Sequence, residues 1–105
     1  GRRILSENAV RYMTSPQLNE NQLSSFDWED KRGYNYGNLM GIATDLSRTG
    51  PSVHLGEYGW DGWLGCQFIN DPEGGYTFLY FIQRCGGLGA RPIRIIKQIV
   101  YGAED

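Results

Sequence analysis

The feature that most constrains this chain is a turn signal between two strand-like segments. The residues Asp-Pro-Glu-Gly-Gly at 71–75 favour a turn, and the segments 56–70 and 75–84 around it are rich in aromatic and other β-favouring side chains. Two such segments around a glycine-containing turn are typical of a β-hairpin. We therefore expect the rest of the chain to be built around this hairpin.

The strand patterns predict an α+β fold with a three-stranded antiparallel meander. Aromatic and aliphatic residues with interspersed glycines at 34–44 are interpreted as the first strand, and 56–70 and 75–84 follow as the second and third. From Thr77 to Ile82 nearly every residue is apolar, which predicts that the third strand is buried on both faces of the sheet. The glycine-rich segment 86–89 is expected to form the turn into the next element.

Two helices are expected to flank this sheet. Ser6 is a candidate N-cap of a short N-terminal helix that ends before Pro16. An amphipathic C-terminal helix is expected to begin near Pro92 and to pack on the sheet through an apolar arc of about 160°. The arc comprises Ile93, Ile95, Ile96, Ile99 and Val100, and the opposite side comprises Arg94, Lys97, Gln98 and Tyr101. Glu104 and Asp105 oppose the helix dipole, so the last turn is expected to fray.

The composition describes a soluble domain and excludes several classes of partner. A length of 105 residues indicates one domain, 1–105, and 40% hydrophobic with 21% charged residues is ordinary for a globular chain. The net charge of −2 without a basic stripe argues against nucleic-acid binding. No apolar run approaches the roughly 20 residues that cross a bilayer, and no leader opens the chain, so no membrane association is expected and the compartment stays open. Because the first residue is Gly1 rather than methionine, we expect a piece of a longer protein.

The two cysteines, Cys66 and Cys85, are expected to be free thiols. If the hairpin turns near Gly74, Cys66 lies opposite a residue near Phe81. The two cysteines are then offset by about four residues, or roughly 13 Å at ~3.3 Å per residue. This exceeds the Cα separation of about 7 Å that a disulfide allows.

No residue pattern predicts a metal site, a cofactor or a self-sufficient nucleophile. The single histidine, His54, has no second histidine or carboxylate at metal-ligand spacing. The polar segment 17–32 is interpreted as a surface loop with one helical turn, and its acidic residues Asp27, Glu29 and Asp30 as a solvated face rather than a cation site. No serine is followed by lysine three positions later, so the Ser-x-x-Lys pair that places a nucleophile and its base on one helix face is missing.

Several motifs occur in an order that is known from one family. Gly-Trp-Asp-Gly-Trp-Leu-Gly at 59–65 is followed by Phe-Ile-Asn-Asp-Pro-Glu at 68–73 and an apolar strand, and Tyr-Gly-Asn-Leu-Met lies upstream at 36–40. With the N-terminal helix, this order resembles the C-terminal part of class C β-lactamases and penicillin-binding-protein-like serine hydrolases, in particular their esterase branch. The resemblance spans almost the whole chain. It implies a fragment of a β-lactamase-like fold, the C-terminal subdomain of a longer hydrolase.

The resemblance also implies roles for one strand end. Family members attack an ester or amide carbonyl with the serine of Ser-x-x-Lys and a Tyr-x-Asn tyrosine, both upstream of the part represented here. The chain is therefore expected to be inactive alone, with the N-terminal part of the parent enzyme as its partner and no cofactor. The third motif of the family maps onto Trp60, Asp61 and Gly62, which with Tyr58 are implied to contact a small ester or amide substrate. The backbone N–H of Trp63 is implied to donate to the oxyanion.

Two departures from the family pattern affect this interpretation. Asp61 replaces a small or hydroxyl residue, and its carboxylate would repel the carboxylate of a β-lactam, which favours a neutral ester or loss of activity. Tyr-Gly-Asn at 36–38 has the spacing of Tyr-x-Asn but lies on a predicted strand, so we interpret it as a coincidence. Trp60 and Trp63 have an alternative role as packing residues, on opposite faces of their strand.

The alternative function from another class is a non-catalytic binding or assembly module. Its contacts to a sugar or to another protein would come from exposed aromatic residues, namely Tyr34, Tyr36, Tyr58 and Trp63. A free edge of the third strand would also allow two copies to form a homodimer. A Ser-x-x-Lys helix about two hundred residues upstream in the same reading frame would distinguish the hydrolase from this alternative.

Overall fold

The computed structural model describes residues 1–103, and the fraying expected at Glu104 and Asp105 lies outside these residues. The strands are β1 (Tyr34–Tyr36), β2 (Gly41–Ala43), β3 (Tyr58–Asp61), β4 (Gln67–Asp71) and β5 (Tyr76–Tyr80). The helices are α1 (Glu7–Met13), α2 (Glu20–Ser24), α3 (Leu46–Thr49) and α4 (Ala90–Tyr101), with one 3₁₀ turn at Glu29–Lys31. The strands form one five-stranded sheet in which each pairs antiparallel with the next along the chain. The α+β class and the antiparallel meander are therefore confirmed.

The prediction of three strands is wrong, because the first two predicted strands each contain a turn. The predicted strand 34–44 is divided into β1 and β2, and between them the Gly37 N–H donates to the Met40 carbonyl oxygen at 2.8 Å. Leu39 lies in this turn with a φ of 68°, a left-handed conformation that leucine rarely adopts. Gly37 and Asn38 favour turns, but the prediction treats the glycines as kinks within one strand, and Leu39 itself gives no sign of its conformation.

The predicted strand 56–70 is divided in the same way into β3 and β4. The Gly65 N–H donates to the Gly62 carbonyl oxygen at 2.8 Å and closes the turn. Gly65 has a φ of 91°, which favours glycine, and a Cβ there would lie only 2.6 Å from the Ile82 side chain. These glycines therefore mark a hairpin turn rather than a kink in one long strand.

The hairpin at 71–75 is confirmed by the pairing of Asp71 with Tyr76. The Asp71 side chain is buried and accepts hydrogen bonds from the backbone N–H groups of Glu73 at 2.9 Å and Gly74 at 3.0 Å. An aspartate that bonds the backbone two residues ahead is a common way to stabilise a turn. Its carboxylate therefore holds the β4–β5 connection in place.

The register of β4 with β5 places Cys66 beside Phe81, as the sequence predicts. The Cys66 thiol donates to the Ile82 carbonyl oxygen at 3.4 Å. Cys66 and Cys85 are both free thiols. The offset between them along the hairpin is the reason that they do not pair.

The prediction that the third strand is buried on both faces is wrong. β5 is shorter than predicted, and Thr77 and Leu79 are exposed between half-buried tyrosine and phenylalanine side chains. Just beyond the strand, Phe81 is 74% exposed. The described part of the chain therefore covers only one face of β5.

The N-terminal helix is confirmed as α1, and the Ser6 hydroxyl caps it by accepting a hydrogen bond from the Ala9 N–H at 3.1 Å. The polar segment 17–32 has more structure than the single predicted turn, because it holds both α2 and the 3₁₀ turn. α2 begins at a capping box in which the side chains of Asn19 and Gln22 each accept from the other residue's N–H. Among the helices of residues 1–103, none is long and apolar enough to cross a membrane.

The C-terminal helix is confirmed as α4, but it turns a different face toward the sheet than predicted. Lys97, from the predicted polar side, is buried, and Ile93 and Tyr101 one turn before and after it are half-buried. Ile95 and Ile99, from the predicted apolar arc, are 47% and 68% exposed. Lys97, at the centre of this buried face, is thus displaced by about 120° from the centre of the apolar arc, at 100° per residue. The cause is a polar contact of the helix, described below.

The largest side chains that the described fold buries fully are acidic. The buried apolar residues are Ile42, Ala43 and Ile69, whereas the largest fully buried side chains are Glu57 and Asp71. Charged residues are almost never fully buried unless they are paired. The partners of these two carboxylates are therefore central to how the sheet is covered.

Candidate functional site

A cleft of about 610 Å³ lies between the sheet and α4. Its walls include Trp60, Asp61 and Gly62 at the end of β3, together with Glu57 and Lys97. Small-molecule sites usually have volumes of about 300–1,000 Å³. The cleft is therefore the first candidate for a functional site.

The cleft brings together only part of the predicted site. Trp60, Asp61 and Gly62 line it, whereas Tyr58 and Trp63 do not. Side chains alternate along a strand, so Tyr58 lies on the face of β3 opposite Asp61. There its hydroxyl accepts a hydrogen bond of 2.9 Å from the amide of Asn70 on β4. Tyr58 and Asp61 therefore do not contact one ligand in this cleft.

Asp61 forms an ion pair rather than presenting a free carboxylate. Lys31 Nζ lies 3.3 Å from Asp61 Oδ2 and 3.1 Å from Asp30 Oδ2. The same ammonium group lies 4.8 Å from the centre of the Trp60 ring, a cation–π contact. Within residues 1–103, the Asp61 carboxylate therefore shares its only ammonium partner with Asp30.

Trp63 lies at the tip of the β3–β4 turn, and its side chain is 77% exposed. Its carbonyl oxygen accepts a 2.9 Å hydrogen bond from the Gly86 N–H, and the preceding Gly62 N–H donates to the Cys66 carbonyl oxygen at 2.9 Å. Within residues 1–103, the Trp63 N–H itself donates to no protein acceptor. This donor is therefore available to a ligand.

The backbone of β3 is also open where the predicted third motif lies. β2 pairs with β3 only at Tyr58 and Gly59, so the end of β3 at Asp61 extends beyond its neighbour. A strand edge without a neighbour presents backbone donors and acceptors that can bind an extended ligand. The segment from Asp61 to Trp63 combines such an edge with a turn N–H that is not used.

Sequence reasoning missed a buried polar network on the opposite wall of the cleft. Glu57 is 1% exposed, and its carboxylate accepts from Lys97 Nζ at 2.7 Å and from the Tyr34 hydroxyl at 2.6 Å. The Tyr101 hydroxyl donates to the other carboxylate oxygen, and Lys97 Nζ also donates to the Tyr34 hydroxyl at 3.2 Å. The network joins α4 to the sheet, which explains the unexpected orientation of the helix.

One signal for this network was present in the sequence. Ile93, Lys97 and Tyr101 are spaced four residues apart, so they share one side of the helix. A lysine with a tyrosine one turn away suits a buried carboxylate, because both groups are donors. The partner, Glu57, lies 40 residues away and has no periodic relation to α4.

Burial shifts the ionisation of the groups in this network. Burial lowers the pKa of Lys97, and the Glu57 carboxylate opposes that shift. Burial and then the negative charge of Glu57 raise the pKa of Tyr34 well above its usual range. Burial and the hydrogen bond to Glu57 raise the pKa of Tyr101 in the same direction. The two hydroxyls are therefore fixed as donors.

We expect Tyr34 and Tyr101 to remain protonated until the chain unfolds at alkaline pH. Because the pKa of each hydroxyl is raised in the folded state, its contribution to stability is complete below about pH 10 and is lost as the pH rises above it. In an alkaline titration followed by tyrosinate absorbance, two of the tyrosines should ionise only when the circular-dichroism signal of the folded chain is lost. The double variant Tyr34→Phe/Tyr101→Phe should lack this late step. Ionisation of every tyrosine before unfolding would contradict the expectation.

The second buried carboxylate pairs with the only histidine. His54 Nδ1 lies 2.6 Å from Asp71 Oδ2. Burial by itself would raise the pKa of Asp71, but the Gly74 N–H, His54 and the Glu73 N–H together lower it. This pair stabilises the β4–β5 turn and leaves His54 on the periphery of the sheet.

The acidic cluster of segment 17–32 consists of paired side chains. Asp27 lies 2.8 Å from Arg48, Asp30 pairs with Lys31, and Glu29 lies 3.7 Å from Arg94. In the described part of the chain, no group of three or more histidine, cysteine, aspartate or glutamate residues could hold a metal ion. These carboxylates fix the loop against the rest of the fold.

The chain matches no protein-family model. The curated proteins give no match either. No family assignment follows from these comparisons.

Proposed function

We propose that this chain is the C-terminal segment of a β-lactamase-like serine hydrolase of the carboxylesterase or β-lactamase/peptidase type. It supplies the third-motif strand and one backbone donor for the oxyanion, and it is inactive alone. The observation that carries this proposal is the unused N–H of Trp63, directly after Gly62 at an open strand end. A fixed backbone donor at such a place stabilises the negative charge that develops on a carbonyl oxygen. The nucleophile and its base come from the N-terminal part of the parent.

The exposed apolar side chains support a larger parent. On α4, Ile95 and Ile99 are exposed, and near the outer strand so are Leu79 and Phe81. Soluble monomers rarely leave large contiguous apolar patches uncovered. We infer that the N-terminal part of the parent packs against these surfaces.

The Asp61 carboxylate favours a neutral ester or amide as the substrate of the parent. Lys31 is shared between Asp30 and Asp61, so it does not cancel both carboxylates. A substrate carboxylate beside Asp61 would meet a charge of the same sign, which selects against it. This is the reason to place an esterase ahead of a β-lactamase.

In the full-length parent, Trp63→Pro is expected to lower kcat for ester hydrolysis about 10²–10³-fold, because proline has no N–H to donate to the oxyanion. Trp63 is the second residue of the turn between Gly62 and Gly65, a position that favours proline, so the turn should be retained. Trp63→Ala is the matched control, since it removes the side chain but keeps the N–H. Its kcat should fall far less, and equal losses in the two variants would contradict an oxyanion role.

The isolated chain provides a complementary test. We expect no labelling by a serine-reactive fluorophosphonate, because the chain has no Ser-x-x-Lys pair. We expect such a pair about two hundred residues upstream in the same reading frame, and labelling of its serine in the full-length protein. A reading frame without the motif would exclude the hydrolase. Stoichiometric labelling of the isolated chain would show that it contains a nucleophile.

A second candidate function, assembly of two copies, is favoured by the outer edge of the sheet. Within residues 1–103, β5 pairs only with β4, and the residues from Tyr76 to Ile82 include no charge and no proline. Charged side chains and prolines are the features that proteins commonly place on an edge strand to prevent it from pairing with another chain. An antiparallel pair of β5 strands about Phe78 would be symmetric, as a homodimer requires.

We therefore expect the isolated chain to scatter light as a dimer at high concentration. Leu79→Lys places a charge on the exposed side of this edge and should return the chain to the monomer mass. Leu55→Lys is the matched control, because Leu55 is similarly exposed, at 57%, but lies in a loop. A monomer mass at every concentration would exclude the homodimer.

A further inference from the structure

We propose that four aromatic side chains form a binding site for a neutral small molecule that carries one aromatic ring. These side chains, called here the aromatic cluster, are Phe26, Trp28, Tyr36 and Trp60. Together with Leu18 they line a second pocket of about 260 Å³. The site is a property of the isolated chain and does not depend on the hydrolase proposal.

The rings of the aromatic cluster hold one another in place. The Phe26 ring centre lies 5.3 Å from that of Trp28, 5.8 Å from that of Tyr36 and 6.3 Å from that of Trp60. Tyr36 and Trp60 meet edge to face at 4.8 Å. These separations fall within the roughly 4.5–7 Å that aromatic pairs prefer. The cluster therefore presents ordered ring faces and edges, which an additional ring can contact in the same geometries.

The backbone around the pocket is also fixed. Asn35, only 6% exposed, accepts a 2.9 Å hydrogen bond from the Leu18 N–H and donates one of 3.0 Å to the Leu18 carbonyl oxygen. Its amide thereby holds Leu18 beside β1. On the other side, the Trp60 ring lies over Gly41 of β2. The pocket is therefore largely formed before a ligand binds, which reduces the ordering cost of binding.

The charges beside the pocket select a neutral ligand. Asp27 is bonded to Arg48 at 2.8 Å, and Asp30 to Lys31 at 3.1 Å. The Lys31 ammonium group already lies 4.8 Å from the centre of the Trp60 ring. This ammonium group would repel a cationic ligand, and the nearby carboxylates are already paired. The aromatic faces alone would therefore have to bind it. The lining itself consists of apolar and aromatic side chains.

The volume limits the ligand to about one ring. At about 260 Å³, the pocket is smaller than the range of about 300–1,000 Å³ that holds drug-sized molecules. A ligand of this size is expected to bind with a dissociation constant in the millimolar range or weaker. Benzyl alcohol is a suitable probe because it is neutral, soluble and carries one ring.

The three tryptophans of the chain allow a direct test by NMR, because each has one indole N–H signal. Titration with benzyl alcohol should shift the signals of Trp28 and Trp60 along saturable curves, while that of Trp63, outside the pocket, stays in place. Cyclohexylmethanol should bind about twofold to tenfold more weakly, since it cannot make ring–ring contacts. Tetramethylammonium should cause no saturable shift.

Two variants complete the test. Trp28→Ala removes a wall that is 56% exposed, so the fold should be retained, and the dissociation constant read from the Trp60 signal should rise at least about fivefold. Tyr12→Ala removes another aromatic side chain, 63% exposed and outside the pocket, and should leave the affinity unchanged. Equal shifts of all three indole signals, no saturation, or equal affinity in Trp28→Ala would overturn the proposal. Saturable binding of tetramethylammonium would identify a cation site. Equal affinity for cyclohexylmethanol and benzyl alcohol would identify a merely apolar site. Either result would also overturn the proposal.

Discussion

Replacing Glu57 by alanine is expected to lower the free energy of unfolding by about 3–5 kcal/mol, because it leaves a buried ammonium group without its counter-charge. Glu57 is 1% exposed, and Lys97 Nζ lies 2.7 Å from its carboxylate. The hydroxyls of Tyr34 and Tyr101 lose their acceptor as well. Domains of this size are stable by about 5–15 kcal/mol, so the loss is a large fraction of the total. Urea denaturation followed by circular dichroism measures it.

Two controls separate the charge from the contact. The double variant Glu57→Leu/Lys97→Met removes both charges and should recover the part of the loss that comes from the unpaired ammonium group. The hydroxyls of Tyr34 and Tyr101 still lack their acceptor, so the rest of the loss should remain. Glu7→Ala breaks the exposed pair with Arg3 at 3.3 Å and should change the free energy of unfolding by at most about 1 kcal/mol. If Glu57→Ala cost no more than Glu7→Ala, the network would not hold α4 on the sheet.

Replacing Gly59 by alanine is expected to destabilise the chain by about 3 kcal/mol, because β3 and β4 approach too closely for a side chain at this position. A Cβ on Gly59 would overlap the Phe68 carbonyl oxygen and lie 2.9 Å from the Ile69 Cα. Both are backbone atoms of β4, so no side-chain rotation can relieve the overlap. At about 4–8 °C per kcal/mol, the melting temperature should fall by about 12–24 °C.

Gly62→Ala, at the end of the same strand, is the matched control. The nearest atom to a Cβ on Gly62 is 3.9 Å away, and its backbone is not left-handed. We expect its free energy of unfolding to stay within about 0.5 kcal/mol of the original chain. Equal melting temperatures for Gly59→Ala and Gly62→Ala would show that the close strand approach is not present in solution.

The parts of the fold that the sequence predicted correctly depend on local signals. The serine at position 6, the Asp-Pro-Glu-Gly-Gly turn at 71–75 and the start of the last helix each act through neighbouring residues. The strand 34–44 was wrong because Leu39 takes a left-handed conformation without the residue type that normally marks it. Burial of β5 was wrong for another reason. An apolar strand predicts that other elements pack on both of its faces, but within residues 1–103 they pack on only one.

Only part of the site was predictable from neighbouring residues. Trp60, Asp61 and Gly62 do line the cleft, but Tyr58 does not, and its hydroxyl accepts a hydrogen bond from Asn70 instead. The pair of Glu57 and Lys97 could not be found from local pattern, because a contact between residues 40 positions apart follows from the complete topology. The apolar arc of the helix predicted the opposite orientation for Lys97, because it places this lysine on the solvent-facing side.

The polar anchor of α4 has a consequence for the outer shape of the molecule. A helix that packs through an apolar stripe can roll about its axis with little penalty, because apolar contacts are not directional. A carboxylate that accepts from Lys97, Tyr34 and Tyr101 permits one rotational setting. The ridge formed by Ile95 and Ile99 is therefore presented outward in a single orientation, and any surface that covers it must be shaped to that orientation.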